Sequence, residues 1–198
     1  MAKKESTFIN MVLTLFVVAL VASTALGYVF ELTKEPIRIA KENKVKEAIK
    51  AVVPEFDTLG TPYKLLPAEG KDSLEFFPAY DSEWNLKGTA IKSYTYNGFS
   101  GFISVMVGIT PDGAISNYSI LEHKETPGLG TKMEPWFKDT DKPGRCVIGK
   151  KPGINKLTVS KDGGEVDAIT AATISSRAFL DAVNRAAKTL PIDKGGMK

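Results

Sequence analysis

The sequence has 198 residues, of which 43% are hydrophobic and 25% are charged, and its formal net charge is +3. This composition excludes a disordered chain, and so small a positive excess gives no support for nucleic-acid binding. One Cys and one His exclude an intramolecular disulfide, a cysteine-based zinc site, an iron–sulfur cluster held by this chain alone and any site that needs two imidazoles.

The first predicted element is an apolar helix near the N-terminus. No charged residue occurs between Ser6 and Phe30. As a helix, the apolar stretch from Phe8 to Phe30 would span roughly 34 Å, which is enough to cross the hydrocarbon core of a membrane. Apolar side chains occur all around this helix and not as a single stripe, which argues against a helix packed on a soluble core.

A cleaved signal peptide is the alternative interpretation of the same segment. Lys3 and Lys4 precede the apolar run, and residues 23–25 are small enough for a cleavage site. The run continues past that site, however, and is longer than a normal signal sequence. We therefore predict a retained single-pass anchor over residues 1–30. The two lysines place its N-terminus in the cytoplasm and the rest of the chain outside it.

A second helix is predicted over residues 31–53, because apolar residues recur at helical spacing between lysines and glutamates. Pro36 lies near its start, and Pro54 ends it. The following stretch, 54–90, predicts short strands or loops.

The pattern becomes that of strands from residue 90 onward. Residues 91–96, 102–109 and 114–121 are rich in β-branched and aromatic residues. Asn97-Gly98 and the segment 111–113 separate them with residues typical of turns. The segments therefore predict an antiparallel meander.

The last third of the chain combines a long loop and a helix. Residues 122–160 are rich in Gly, Pro, Lys and Asp, with short strands predicted at 146–148 and 157–159. A helix is predicted over 175–190, followed by Pro191. The fold class is α+β. The predicted organisation is a cytoplasmic N-terminus and anchor (1–30), a connecting helix (31–53), an extracytoplasmic domain with an antiparallel sheet and flanking helices (54–192) and a flexible tail (193–198).

Small and hydroxyl-bearing residues cluster just before the last predicted helix. Thr170, Thr173, Ser175 and Ser176 occur within seven residues there. A helix start offers free N–H donors and a partial positive charge, and therefore favours an anion such as a phosphate. The alternative is an ordinary helix cap made by Ser175 or Ser176.

The same segment resembles the flavinylation motif of the FMN-binding domain family. In that motif Asp stands six residues before an acceptor Thr, Ser or Thr stands three before, Ala one before, and Ser or Thr two after. The matching residues are Asp167, Thr170, Ala172, Thr173 and Ser175. The family often has Gly at the position of Ala171, and alanine predicts that a positive φ is not required there.

A second stretch, from Glu122 to Gly130, looks like the ETPGLG signature of the same family. That signature is typical of the G subunit of the Rnf electron-transport complex and of its relative, the C subunit of the sodium-pumping NADH:quinone reductase. Pro127 and the glycines predict a tight turn that can lie against a planar ring, with Glu125 and Thr126 as polar contacts. An ordinary Pro-Gly loop is the alternative.

The resemblance implies FMN joined through its phosphate to Thr173. A flavin transferase would attach it, with FAD as the donor and AMP as the leaving group. Asp167 would serve recognition or acceptor activation, Ser175 and Ser176 would cradle the phosphate, and Thr170 is the competing acceptor. The other expected cofactor-binding residues are Glu125, Thr126, Gly128, Leu129 and Ile174.

The resemblance further implies an electron-transfer subunit of an ion-translocating ferredoxin:NAD oxidoreductase in the cytoplasmic (inner) membrane. Its partners would be the other subunits of that complex, the flavin transferase during maturation and membrane lipid, with no nucleic acid. No catalytic residue, no metal and no complete active site are expected on this chain alone. The alternatives are a flavin subunit of a quinone reductase, another extracytoplasmic electron-transfer protein, or an anchored structural or sensory module without flavin.

The one cysteine and the one histidine of the sequence are each interpreted in two ways. The interpretation favoured for Cys146 is a buried apolar side chain, and an exposed thiol is the alternative. His123 is interpreted as a surface or loop-stabilising residue, with flavin contact or proton transfer as the alternative.

Overall fold

The computed structural model describes residues 7–191, so Lys3, Lys4 and the tail predicted at 193–198 lie outside the described residues. By its internal contacts the chain divides into two units, Met1–Asn43 and Lys44–Lys198.

One continuous helix, α1 (Phe8–Val52), contains both the predicted anchor and the helix predicted over 31–53, and Pro36 lies inside it. Among the described residues it is the one helix long and apolar enough to cross a membrane, and its most apolar stretch is not buried. Large apolar side chains are exposed along its first part, from Phe8 to Phe30.

The second unit contains a six-stranded sheet. The strands are β1 (Thr58–Leu59), β2 (Tyr63–Leu65), β3 (Leu74–Tyr80), β4 (Leu86–Gly98), β5 (Gly101–Ile109) and β6 (Ile115–His123). Their order is β1-β3-β4-β5-β6, with β2 also paired to β3, and every pairing is antiparallel. The predicted α+β class with an antiparallel meander is confirmed.

The turn between β4 and β5 lies two residues later than predicted. Gly98 pairs with Gly101, so Asn97 and Gly98 belong to β4, and Phe99 and Ser100 form the turn. Gly101 has a φ of 94°, a conformation that glycine adopts without steric cost. The turn position predicted at Asn97-Gly98 is therefore wrong, and an aromatic residue occupies the tip of the hairpin.

The sheet has an apolar core on each face. On one face, side chains of β4–β6 such as Ile91 and Val105 pack with Phe179 of the last helix. On the other face, Ala90 and Met106 pack with the end of α1, including Ile49. The centre of β5 is consequently buried throughout.

The C-terminal end of α1 is fixed to the sheet by hydrogen bonds. The carbonyl of Val52 accepts a hydrogen bond from Ser116 Oγ, and the carbonyl of Ala51 accepts one from Asn117 Nδ2 at 2.8 Å. Gly108 has no room for a side chain, since a Cβ there would lie 1.9 Å from the Val52 oxygen. These two helix carbonyls, which have no partner within the helix, are thus satisfied by β6.

The long loop after β6 contains a short helix, α2 (Met133–Trp136), and 3-10 turns at Gly130–Lys132 and Ser160–Asp162. The strands predicted at 146–148 and 157–159 are wrong. Their backbone groups bond to other loop residues and not to a neighbouring strand, apart from an isolated bridge between Val159 and Val166. Cys146 is buried in this loop, which confirms its interpretation as an apolar residue.

The last helix, α3 (Thr173–Thr189), begins two residues earlier than predicted. Leu190 leaves the helical conformation with a ψ of 121°, as expected before Pro191. The earlier start makes Thr173 part of the helix instead of the preceding loop.

Candidate functional site

The N-terminus of α3 forms one wall of the candidate site. Thr173 is the first residue of the helix, and Ala172 precedes it without making a side-chain cap. The first backbone N–H groups of a helix have no partner inside the helix, so those at the start of α3 are left for an outside acceptor. Together with the helix dipole they favour an anion at this position.

Ala171 adopts the left-handed conformation, with a φ of 61°. The expectation that this position needs no positive φ is therefore wrong. The conformation costs an alanine about 1–2 kcal/mol, so neighbouring contacts must hold it. The Ala172 N–H donates to the Ile169 carbonyl at 2.9 Å, and the Ile169 N–H donates to Ser176 Oγ at 2.9 Å. These bonds close the turn around Ala171.

The two serines of the first helical turn direct their hydroxyls into the protein. Ser176 Oγ is buried and donates to the Ala172 carbonyl at 2.9 Å. Ser175 Oγ donates to the carboxylate of Glu125. Neither hydroxyl caps the helix, so the alternative of an ordinary serine cap is wrong.

The loop after β6 packs against this helix start. Glu125 is 4% exposed, and its Oε1 accepts a hydrogen bond from the Ser100 N–H at 3.0 Å. His123 Nδ1 accepts the Glu125 N–H at 3.2 Å, which confirms the loop-stabilising role favoured for this histidine. A Cβ at Gly130 would lie 2.7 Å from both Glu125 Cβ and Ser175 Oγ, so only glycine allows this close approach.

The two motif segments line one cavity of about 370 Å³, together with the tip of the β4–β5 hairpin. Its lining residues are Phe99, Thr126, Leu129, Gly130, Ala171, Ala172, Thr173, Ile174 and Ser175. The side chains of Phe99, Leu129 and Ile174 are exposed and give this cavity an apolar rim. An apolar wall beside a helix end that favours an anion suits a molecule with a flat aromatic part and a negatively charged group.

Asp167 and Thr170 belong to the motif but do not line this cavity. The Asp167 N–H donates to the Gly144 carbonyl at 2.6 Å, and the Asp167 carbonyl accepts from Trp136 Nε1 at 2.9 Å. The Arg145 guanidinium lies 3.7 Å from the centroid of the Trp136 ring system. These bonds place Asp167 beside the 136–145 loop, and its side chain is exposed. Thr170, three residues later, is also exposed.

The structure thus separates the predicted site residues into two sets. Those that line the cavity are Thr126, Leu129, Thr173, Ile174 and Ser175; those that do not are Glu125, Asp167, Gly128, Thr170 and Ser176. Phe99 was not among the predicted site residues. The signal for it in the sequence is a large apolar residue between Gly98 and Ser100, where burial is unexpected. Ala171 also lines the cavity and was not predicted as a site residue.

Comparison with curated proteins relates this chain to one protein family. The model of the FMN-binding domain family matches residues 98–188. The G subunit of the ion-translocating oxidoreductase complex of Aliivibrio fischeri (strain MJ11) is 32% identical over 190 residues, which cover 89% of this chain and 86% of the relative. The protein of the same name from Methanosarcina acetivorans is 28% identical over 97% of this chain and 98% of its own length. The crystal structure of Shewanella oneidensis NqrC matches with a TM-score of 0.42 and 23% identity, over 70% of this chain and 65% of that one.

Proposed function

This chain belongs to the family of G subunits of ion-translocating oxidoreductase complexes, and on that premise we propose that it carries FMN and transfers electrons within such a complex. The most direct support is that both motif segments line the same cavity, although about forty residues of sequence separate them. This convergence supports a common role for the two segments in binding one ligand.

The residues that line the cavity fit the chemistry of FMN. The uncapped start of α3 supplies backbone N–H donors for the phosphate. Leu129, Ile174 and Phe99 supply apolar surface for the isoalloxazine ring, and Thr126 supplies a hydroxyl at the same wall. Gly128 has a φ of 76° and keeps the loop compact beside them. When bound, FMN supplies one- or two-electron transfer, while the protein sets its position and its potential.

We further propose that FMN is attached covalently to Thr173. The Thr173 hydroxyl would attack the FMN phosphorus of FAD, forming the phosphoester and releasing AMP, with its proton taken up by a base during the transferase reaction. Thr173 is half-buried and lines the cavity, whereas Thr170 is exposed and does not, which favours Thr173 as the acceptor. Asp167 is exposed beside the 136–145 loop, and this supports a role in recognition by the flavin transferase.

α1 is proposed to anchor the chain in the cytoplasmic membrane, with its N-terminus in the cytoplasm and the flavin domain outside. The hydroxyls of Thr14 and Thr24 each donate to the carbonyl four residues earlier, at 2.7 and 2.8 Å. These polar groups are therefore satisfied within the helix, as a lipid environment requires. Membrane lipid and the other subunits of the redox complex would be its partners.

The test is to express the full chain together with its flavin transferase and to look for flavin fluorescence in a denaturing gel. We expect a fluorescent band for the wild type and for Thr170→Ala, and a dark band for Thr173→Ala. A dark wild-type band would overturn covalent attachment. A band that survives in Thr173→Ala and disappears in Thr170→Ala would assign the acceptor to Thr170.

A further inference from the structure

Glu125 is a buried carboxylate that adjoins the cavity without lining it. Its side chain is 4% exposed, and among the described residues no Lys, Arg or His forms an ion pair with it. A buried carboxylate without a cation depends on hydrogen-bond donors to offset its lost hydration. The identity of those donors therefore indicates what this side chain does.

The two carboxylate oxygens of Glu125 connect different walls of the cavity. Oε1 accepts the Ser100 N–H at 3.0 Å, and Ser100 is adjacent to Phe99 at the tip of the β4–β5 hairpin. Oε2 accepts the hydroxyl of Ser175, which lies in the first turn of α3. Glu125 itself lies in the loop after β6, next to Thr126, which lines the cavity. One side chain thus joins the hairpin, the loop and the helix start.

The contacts of Glu125 also argue against direct binding of FMN. Both carboxylate oxygens are engaged by donors of the protein, and neither lines the cavity. A carboxylate in contact with the phosphate would be repelled by it, since both groups are anionic. Its influence on the cofactor must therefore pass through Ser100 and Ser175.

We infer that Glu125 is a positioning residue that fixes the three walls of the flavin cavity relative to one another, an inference that rests on the proposed function. Without it, the Ser100 N–H and the Ser175 hydroxyl lose their shared acceptor, and the hairpin tip and the helix start are no longer coupled. The flavin would remain attached through Thr173 but would lose its fixed orientation.

The experiment compares Glu125→Ala, Glu125→Gln and Ser175→Ala in the full chain, expressed with the flavin transferase. The readouts are the visible circular dichroism of the bound flavin, its fluorescence anisotropy and its midpoint potential. Glu55→Ala removes an exposed carboxylate elsewhere and is the matched control. The proposed function is tested separately by flavin fluorescence of the wild-type band in a denaturing gel. That band reports covalent attachment and does not depend on how the flavin is oriented in the folded protein.

We expect Glu125→Ala to lose most of the flavin dichroism, to lower the anisotropy and to shift the potential. Glu125→Gln should keep all three near the wild-type values, because its amide can accept from Ser100 and donate to Ser175. Wild-type dichroism and potential in Glu125→Ala would overturn the inference, and so would a glutamine variant that behaves like alanine. If Glu125→Ala does not fold, Ser175→Ala decides: reduced dichroism supports the inference, and unchanged dichroism overturns it.

Discussion

Two turns of the domain hold a non-glycine residue at a φ of 61°, Trp84 between β3 and β4 and Ala171 before α3. The turn at Trp84 is stabilised from within. The Asp81 carboxylate accepts the N–H groups of Glu83 at 3.0 Å and of Asn85 at 2.8 Å. The Trp84 N–H donates to the Asp81 carbonyl at 3.1 Å, so all of these contacts lie within five residues.

The turn at Ala171 is closed by the Ala172 N–H, which donates to the Ile169 carbonyl, and by a side chain of the helix that follows it. Ser176 of α3 accepts a hydrogen bond from the Ile169 N–H. The neighbouring Ser175 donates a hydrogen bond to the carboxylate of Glu125, which is distant in sequence. Ala171 also lines the cavity between the two motif segments, whereas Trp84 does not. The turn at Trp84 is thus closed by its own five residues, whereas the turn at Ala171 also depends on the first turn of α3, which contacts the distant Glu125.

The largest expected effect comes from breaking the distant contacts at Gly130. Gly130→Ala should lower the free energy of unfolding by about 2 kcal/mol, because its Cβ would press on Glu125 and Ser175. Chemical denaturation measures this loss. Gly149→Ala is the control, since its φ is 77° but its Cβ would meet open space, and it should cost only about 1 kcal/mol. Equal losses in both variants would contradict the crowding at Gly130.

A smaller effect is expected from relieving the strain itself. Ala171→Gly should raise the free energy of unfolding by about 0.5 kcal/mol, because the gain from relieved strain exceeds the added chain entropy of glycine. Trp84→Gly should gain less, since it also loses the contact between the Trp84 and Tyr80 rings, whose centroids are 5.6 Å apart. Thermal and chemical denaturation compare the two, and a destabilised Ala171→Gly would show that the left-handed conformation is not strained.

The smallest effect concerns the local turn and depends on pH. Hydrogen bonds from the Asn85 backbone, from the Asn85 side chain and from Lys87 lower the pKa of Asp81 from 3.8 to about 2. A carboxyl whose pKa is depressed in the folded state stabilises it above the unfolded pKa and loses that contribution as the pH falls toward the folded pKa. The melting temperatures of wild type and Asp81→Asn should therefore converge as the pH is lowered from 3.8 toward 2. A constant difference across that range would argue against these bonds.

Periodicity and turn chemistry predicted the α+β class, the central strands and the last helix. They missed details that depend on contacts distant in sequence. The turn at Phe99 and Ser100 follows from the pairing of Gly98 with Gly101, which no local pattern distinguishes from an Asn-Gly turn. The loop segments at 146–148 and 157–159 have β-like composition, but their hydrogen bonds are made to other loops.

The candidate site was predictable only in part for the same reason. The motif match identified Thr173 and Leu129 without any knowledge of the cavity that they line. The same match grouped Glu125 with the residues that contact the cofactor, although its carboxylate is bonded to Ser100 and Ser175. A residue type in a motif indicates that the position matters, whereas the direction of its side chain is set by tertiary packing.

The hydrogen bonds from Ser116 and Asn117 to the end of α1 define where the folded domain begins. The last turns of α1, with Ala48 and Ile49, cover one face of the sheet as an integral layer. A truncated protein that starts at Pro54 would leave this face exposed to solvent and prone to aggregate. A soluble form should instead keep the helix from about Lys44 onward, cutting within a continuous helix and not at its end.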